Sequence, residues 1–269
     1  MKKTLIILMI SLPFSLFGQT AQEWFNTAFD KYQNFDFTGA LHDYTESIKL
    51  DPSNYESYYN RGLTNYNLGY FESAIADFDQ VTKLNPGYYQ AYFWKGFSLY
   101  DNGKPEEAIT AYSNALYYNP DYTTALFERG YSRYELHRYK EAIEDFNKVI
   151  LLEPDNGNAY YNRGLCYYDS ENLTPAMADF QKAVQLNPAD ADSWYQIGFI
   201  QIDQGNFTDA AAAYTKVIEL QPEAADAYYE RGLAYYNAYL DESACADWAQ
   251  AASMGDQQGK DALAEHCNK

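Results

Sequence analysis

Cysteine and histidine are scarce in this 269-residue chain, with three of each, and 19 lysines and arginines face 38 aspartates and glutamates. His42, His137 and His266 have no ligand-spaced partners, so neither a metal centre nor a nucleophile–base triad is indicated. No glycine-rich loop of the phosphate-cradling kind occurs. The carboxylates are spread along the chain, with no pair set apart as acid and base. These absences point to a non-enzymatic chain without catalytic residues, metal or cofactor. A net charge of −19 repels nucleic acid and anionic lipid. The same charge either keeps a long surface soluble or draws basic partners, and counting leaves both open.

Long apolar runs are missing too, with one exception. Leu5 to Phe17 follows the basic start Met1-Lys2-Lys3 and leads to Gly18, a small residue suited to cleavage. Residues 1–18 therefore read as a signal peptide, too short for a comfortable membrane span. An anchoring N-terminal helix is the alternative, but no stop-transfer pattern follows. The expectation is export to a periplasmic or secreted location, with no membrane span in the mature chain. Export permits oxidation, and Cys245 and Cys267 stand 22 apart in adjacent helical segments, so a bridge between them is expected. Cys166, between Leu165 and Tyr167, reads as a small buried thiol.

What is abundant is order at long period. Pro52, Pro86, Pro120, Pro154, Pro188 and Pro222 keep a 34-residue step, as do Gly62 to Gly232 and Ala40 to Ala244. A fixed period of this size marks one supersecondary element copied end to end. With the proline as residue 32, seven repeats span 21–54, 55–88, 89–122, 123–156, 157–190, 191–224 and 225–258. Apolar residues at positions 4, 5, 8, 9 and 12, and again at 17, 20, 21, 24, 28 and 30, have the spacing of two amphipathic helices. Leu68-Gly69, Asn102-Gly103 and Gln204-Gly205 mark the turn between them. Acidic groups open the second helix, where its dipole favours them, and the proline follows its end. Glycine at 8 and alanine at 20 read as the place where the two helices cross closely, with aromatics at 4, 17 and 24 filling the space around it.

The pattern W/Y at 4, G at 8, A at 20, F/Y at 24 and P at 32 resembles the tetratricopeptide repeat and covers about residues 21–258. The resemblance implies an all-α fold, a right-handed α-solenoid of helix-turn-helix repeats whose first helices line a concave groove that binds peptides or protein segments. The seventh repeat has Met254-Gly255-Asp256 in place of the proline and runs into a short helix, so residues 259–269 read as a C-terminal cap.

Family geometry places positions 2, 5, 6, 9, 12 and 13 of the first helices in or beside that groove. At position 5 this selects Tyr59, Phe93, Phe127, Tyr161, Tyr195 and Tyr229 as groove ligand contacts. At position 6 it selects Asn26, Asn60, Trp94, Glu128, Asn162, Gln196 and Glu230. Amides can bond an extended backbone, and aromatics give rigid apolar contact. The lysines by which the family's best-known variant grips a carboxylate are missing, so a protein or peptide partner that is basic or neutral is expected. A carrier of glycan or cell-wall fragments is the alternative that the many tyrosines allow.

One correlation goes beyond the family pattern. Arg61, Arg129, Arg163 and Arg231 occupy position 7, and the same repeats carry Asp77, Asp145, Asp179 and Asp247 at position 23. Repeats 3 and 6, with Lys95 and Ile197 at 7, have alanine at 23, while the first repeat breaks the rule with Thr27 and Asp43. The covariation predicts structural ion pairs that tie the two helices of a repeat, or a repeat to its neighbour. Ligand binding by these arginines is the other reading.

Overall fold

The computed structural model describes residues 19–267; the signal-peptide reading of 1–18 lies outside them. Among the described residues the chain is all helix, in the order α1 (Ala21–Gln33), α2 (Phe37–Leu50), α3 (Tyr55–Asn67), α4 (Phe71–Leu84), α5 (Tyr89–Asp101), α6 (Pro105–Tyr118), α7 (Thr123–Glu135), α8 (Tyr139–Leu152), α9 (Gly157–Asp169), α10 (Leu173–Leu186), α11 (Ala191–Asp203), α12 (Phe207–Leu220), α13 (Ala225–Asn237), α14 (Asp241–Ser253) and α15 (Gln257–His266). None of these helices is long and apolar enough to cross a membrane. The described helices gather into two compact units that divide between Ser98 and Leu99.

Short polar side chains start several helices. Thr20 and Glu23 form a reciprocal capping box on α1, and Asn54, Asn156 and Asp190 accept backbone N–H groups at the starts of α3, α9 and α11. Each second helix of the first six repeats ends with a cap residue followed at once by the periodic proline (Pro52 after Asp51, Pro86 after Asn85).

The turn inside each repeat has one geometry throughout. The N–H at position 16 donates back to the carbonyl at position 11, as in Tyr70 to Asn65, Arg138 to Arg133 and Leu240 to Tyr235, at 2.8–2.9 Å. That six-to-one closure requires a left-handed residue at position 15. Gly69, Gly103 and Gly205 supply it with φ near +75°. The other four repeats force the same conformation on Phe35, His137, Glu171 and Tyr239, with φ of +57 to +62°.

Within each compact unit the core is a row of small and large residues in register. The alanines at position 20 are fully buried, as are Tyr44, Phe78, Tyr112, Phe146, Phe180, Tyr214 and Trp248 at position 24 (none above 1% exposed). The structure refines the reading of glycine at position 8: its missing Cβ makes room for the ring at 24. A Cβ on Gly62 would lie 2.8 Å from Phe78, on Gly198 2.6 Å from Tyr214, and on Gly232 2.6 Å from Trp248.

Candidate binding face

Most of the predicted position-5 aromatics are half-buried, and they are rooted in the core. Tyr59 packs on Phe78, Phe127 on Phe146, Tyr161 on Phe180 and Tyr195 on Tyr214, with ring centroids 5.4–6.0 Å apart. Edge-to-face packing in three of these pairs and a tilted contact in the fourth fix each ring at little entropic cost to a later contact. Tyr229 is half-buried as well. Phe93 departs from the expectation: it is 5% exposed, packed with Trp94 and Phe97, so it is core.

Position 6 divides. Asn26 is exposed and accepts from Gln22. The amide of Asn60 donates to the carbonyl of Glu56, one turn back in its own helix, at 2.8 Å. Asn162 makes the same bond to Asn158 and is buried, which removes it from a ligand face. Trp94 sits in an aromatic cluster with Tyr66 and Phe97. Gln196 lines a cavity with Tyr161 and Tyr195. The two glutamates share an electrostatic condition. Burial, and then Asp101, raises the Glu128 carboxyl above the usual range. Burial, followed by Asp226 and Asp256, pushes Glu230 up to about 7.

The position-7 arginines bind the carboxylates at 23 through both prongs of the guanidinium. Arg61 reaches Asp77 at 3.0 and 2.6 Å, Arg129 reaches Asp145 at 3.0 and 2.6 Å, Arg163 reaches Asp179 at 2.8 and 2.6 Å, and Arg231 reaches Asp247 at 2.7 Å twice. Each also donates its third nitrogen to position 25 of the preceding repeat: Thr45, Ser113, Asn147 and Thr215 respectively. Three helices thus meet on one side chain, within and between repeats. The carboxylates are buried, and the guanidiniums of Arg61, Arg163 and Arg231 lie over the rings of Tyr58, Tyr160 and Tyr228 at 5.5 Å.

The exceptions also have a physical reason. Lys95 turns to Asp79 at position 25 of the preceding repeat, 2.6 Å away, which leaves no role for an aspartate at 23. In the first repeat Lys31, one turn further along α1, takes the place of the arginine and meets Asp43 at 2.6 Å. Arg133 adds a second cation to Asp145 at 2.6 Å. Sequence reasoning missed these three partners and the role of position 25, whose recurrent short polar side chains were the available signal.

Cys245 and Cys267 form a disulfide that fastens the end of α15 to α14, while Cys166 is a buried free thiol. Burial pushes the Cys166 thiol up to about 12, so it is a packing group. Among the described residues no three His, Cys, Asp or Glu side chains form a group able to hold a metal.

Stacked helix pairs on a common 34-residue register define a helical-repeat protein. Tetratricopeptide repeat models match residues 66–116, 96–151, 127–191 and 179–212, and a TPR repeat model matches 31–69 and 200–238. The chain belongs to the tetratricopeptide repeat family and has its α-solenoid fold. MamA 41-end from Desulfovibrio magneticus RS-1 is 25% identical over 63% of this chain and 96% of that one, with a TM-score of 0.60. YrrB, described as a TPR protein with an unusual peptide-binding site, is 25% identical over 69% of this chain and 96% of its own, with a TM-score of 0.61. The C-terminal part of a TPR repeat-containing protein from Cytophaga hutchinsonii has a TM-score of 0.75 at 20% identity, covering 89% of this chain and 99% of that one. No curated protein sequence matches the chain.

Proposed function

We propose that this chain is a non-enzymatic scaffold that holds a basic or neutral protein segment against its first helices. The observation that carries the reading is the set of half-buried aromatics at position 5. Tyr59, Phe127, Tyr161 and Tyr195 are each braced from behind by a core ring, and Asp192 and Asp226 border Tyr161 and Tyr195. Rigid amphipathic rings give contact area at low entropic cost, and surrounding negative charge favours a basic partner and repels an acidic one. The description of YrrB as having a peptide-binding site supports the same use of the fold. A glycan carrier needs ring faces free for stacking, whereas these rings already pack one side on the core. Export to a periplasmic or secreted location is supported by the leader pattern of 1–18 and by the Cys245–Cys267 bridge.

The test is capture of envelope proteins on the immobilised chain from residue 19 onward, over a range of salt. The expected result is a retained protein whose binding weakens with salt and weakens again when the exposed Asp101, Glu135 and Asp203 become amides. Retention indifferent to salt and to those substitutions, or release by free glycan fragments, overturns the reading.

A further inference from the structure

Between α11 and α13 lies a cavity of about 130 Å³, with Tyr161 of α9 closing one side. Its polar lining is two carboxylates (Asp192 and Asp226), two phenols (Tyr161 and Tyr195) and two amides (Gln196 and Gln221). Asp192 and Asp226 occupy position 2 of successive repeats, so the 34-residue period itself sets one opposite the other. Gln196 and Glu230 stand one turn beyond them, four residues on, along the same helix faces. No lysine, arginine or histidine lines this cavity. Among the described residues none is paired with Asp192, Asp226 or Glu230 either; the arginines of this region, Arg163 and Arg231, are tied to Asp179 and Asp247.

A second observation comes from the core behind the cavity. Tyr214 is fully buried, its hydroxyl has no hydrogen-bond partner, and its ring packs 5.4 Å from that of Tyr195. Most repeats carry phenylalanine or tryptophan at this position, so the hydroxyl is not required by packing. Burial and then Glu230 hold its proton in place. The cavity therefore combines two carboxylates that have no basic partner with a hollow that would hold about four waters; the Tyr214 hydroxyl lies behind its lining, and Tyr44 carries a like one in the core of the first repeat.

We propose that this cavity binds the primary ammonium group of a lysine side chain, seated between Asp192 and Asp226 against the rings of Tyr161 and Tyr195. The inference rests on the scaffold reading for the source of that lysine, and it names the chemistry of one contact. An ammonium carries three donors that radiate from a point. The acceptors here are likewise dispersed, from α9, α11, α13 and the loop before α13, and do not form the single carboxylate fork that a guanidinium matches. Two carboxylates on either side supply the counter-charge, and the tyrosine rings offer cation–π contact, which strengthens with desolvation.

The probe is Nα-acetyl-lysine methylamide, titrated into the isotope-labelled chain from residue 19 onward and read by NMR. Its Nε-acetylated form and the arginine analogue are the comparison ligands. Saturable shifts centred on α11 and α13 are expected, weaker by roughly tenfold or more for the Nε-acetylated form and for Asp192→Asn/Asp226→Asn. The control Asp241→Asn/Glu242→Gln removes the same charge from exposed positions and should bind as the parent does. Circular dichroism checks the fold of each variant; if the double substitution unfolds the chain, the single Asp192→Asn is read in its place, with the same direction expected. Shifts that spread over the acidic surface without saturating, equal losses in the control, or tighter binding of the arginine analogue overturn the proposal. Protein capture that survives in Asp192→Asn/Asp226→Asn sinks the pocket and leaves the scaffold standing. Lysine binding in a chain that captures no protein does the reverse.

Discussion

Arg129 grips Asp145 by two nitrogens, at 3.0 and 2.6 Å, and donates its third to Ser113 of the preceding repeat at 2.9 Å. Both partners are largely withdrawn from water, with side chains 17% and 3% exposed. Arg133 also meets Asp145, at 2.6 Å, so losing Arg129 leaves the carboxylate one cation and costs less than the roughly 3–5 kcal/mol of a fully stranded charge. Arg129→Ala should therefore lower the urea midpoint by the loss of the fork and of the Ser113 bond, and Arg129→Lys should recover only part, because an ammonium cannot make the bidentate fork. Arg231→Met with Asp247→Leu, a pair with no second cation among the described residues, removes both charges and should lie much closer to the parent than Arg231→Ala does. An Arg129→Ala chain as stable as the parent would show that the triple junction is incidental to stability.

The left-handed residue at position 15 offers the opposite experiment. Phe35 and Tyr239 hold φ of +62° while being 81% and 92% exposed, so their side chains gain little from the place they occupy. A left-handed non-glycine residue is strained by about 1–2 kcal/mol, part of which glycine returns as unfolded-state entropy. Phe35→Gly and Tyr239→Gly should each raise stability by roughly 0.5–1 kcal/mol, and Gly103→Ala should lower it by about 1 kcal/mol. Thermal melts of the three variants check the signs; a loss of stability in both aromatic-to-glycine variants would mean that the exposed rings make a contact worth more than the strain.

The pairing of Arg61 with Asp77 was legible because the two residues come and go together across repeats. The partner at position 25 was not, since Thr45, Ser113, Asn147 and Thr215 share polarity but not identity. The strained turns were hidden for a related reason: Phe35 and Tyr239 carry no local signal for a left-handed residue, and the position is imposed by the backbone closure of the helix before it. Groove position proved a weaker guide than repeat position. Phe93 and Asn162 match their repeat neighbours in sequence, yet the packing around each buries them, and that packing depends on which residues the adjoining helices supply. The hollow between Asp192 and Asp226 arises from adjacency of two repeats, which no single repeat displays.

Thiol counting tests the cap. Cys245 and Cys267 are bridged and Cys166 is buried with its thiol held up to about 12, so the oxidised native chain should react with no thiol reagent. Mild reduction should expose two thiols and denaturation a third. The bridge closes a segment of 22 residues, for which chain-entropy reasoning gives about 3 kcal/mol of stabilisation. Its loss should fall first on α15, whose His266 rests against Tyr236 and Trp248 at 4.6 and 5.5 Å. Amide exchange should therefore quicken in α15 on reduction while α7 and α8 stay protected. Exchange that quickens evenly along the chain would count against a local role.

Glu230 gives the chain a pH dependence whose sign runs against the usual carboxylate. Burial comes first, and Asp226 and Asp256 add to it, so its carboxyl titrates at about 7 in the fold against an ordinary value of 4.5. Between those values the folded chain holds the proton and the unfolded chain has released it, so stability falls as pH rises through the window. The penalty is absent below about pH 4.5, where both states are protonated, and complete above about 7. Partial solvent access screens it, which brings the expected size to about 1–2 kcal/mol. Glu230→Gln removes the titrating group and keeps the shape. The parent and the variant should have similar urea midpoints near pH 4.5, and the variant should gain on the parent as pH rises to 8. Two curves that stay parallel across that range would mean that Glu230 is charged and solvated in the fold. The same measurement with lysine analogue present should narrow the difference at high pH, because an ammonium beside Asp226 favours the ionised glutamate.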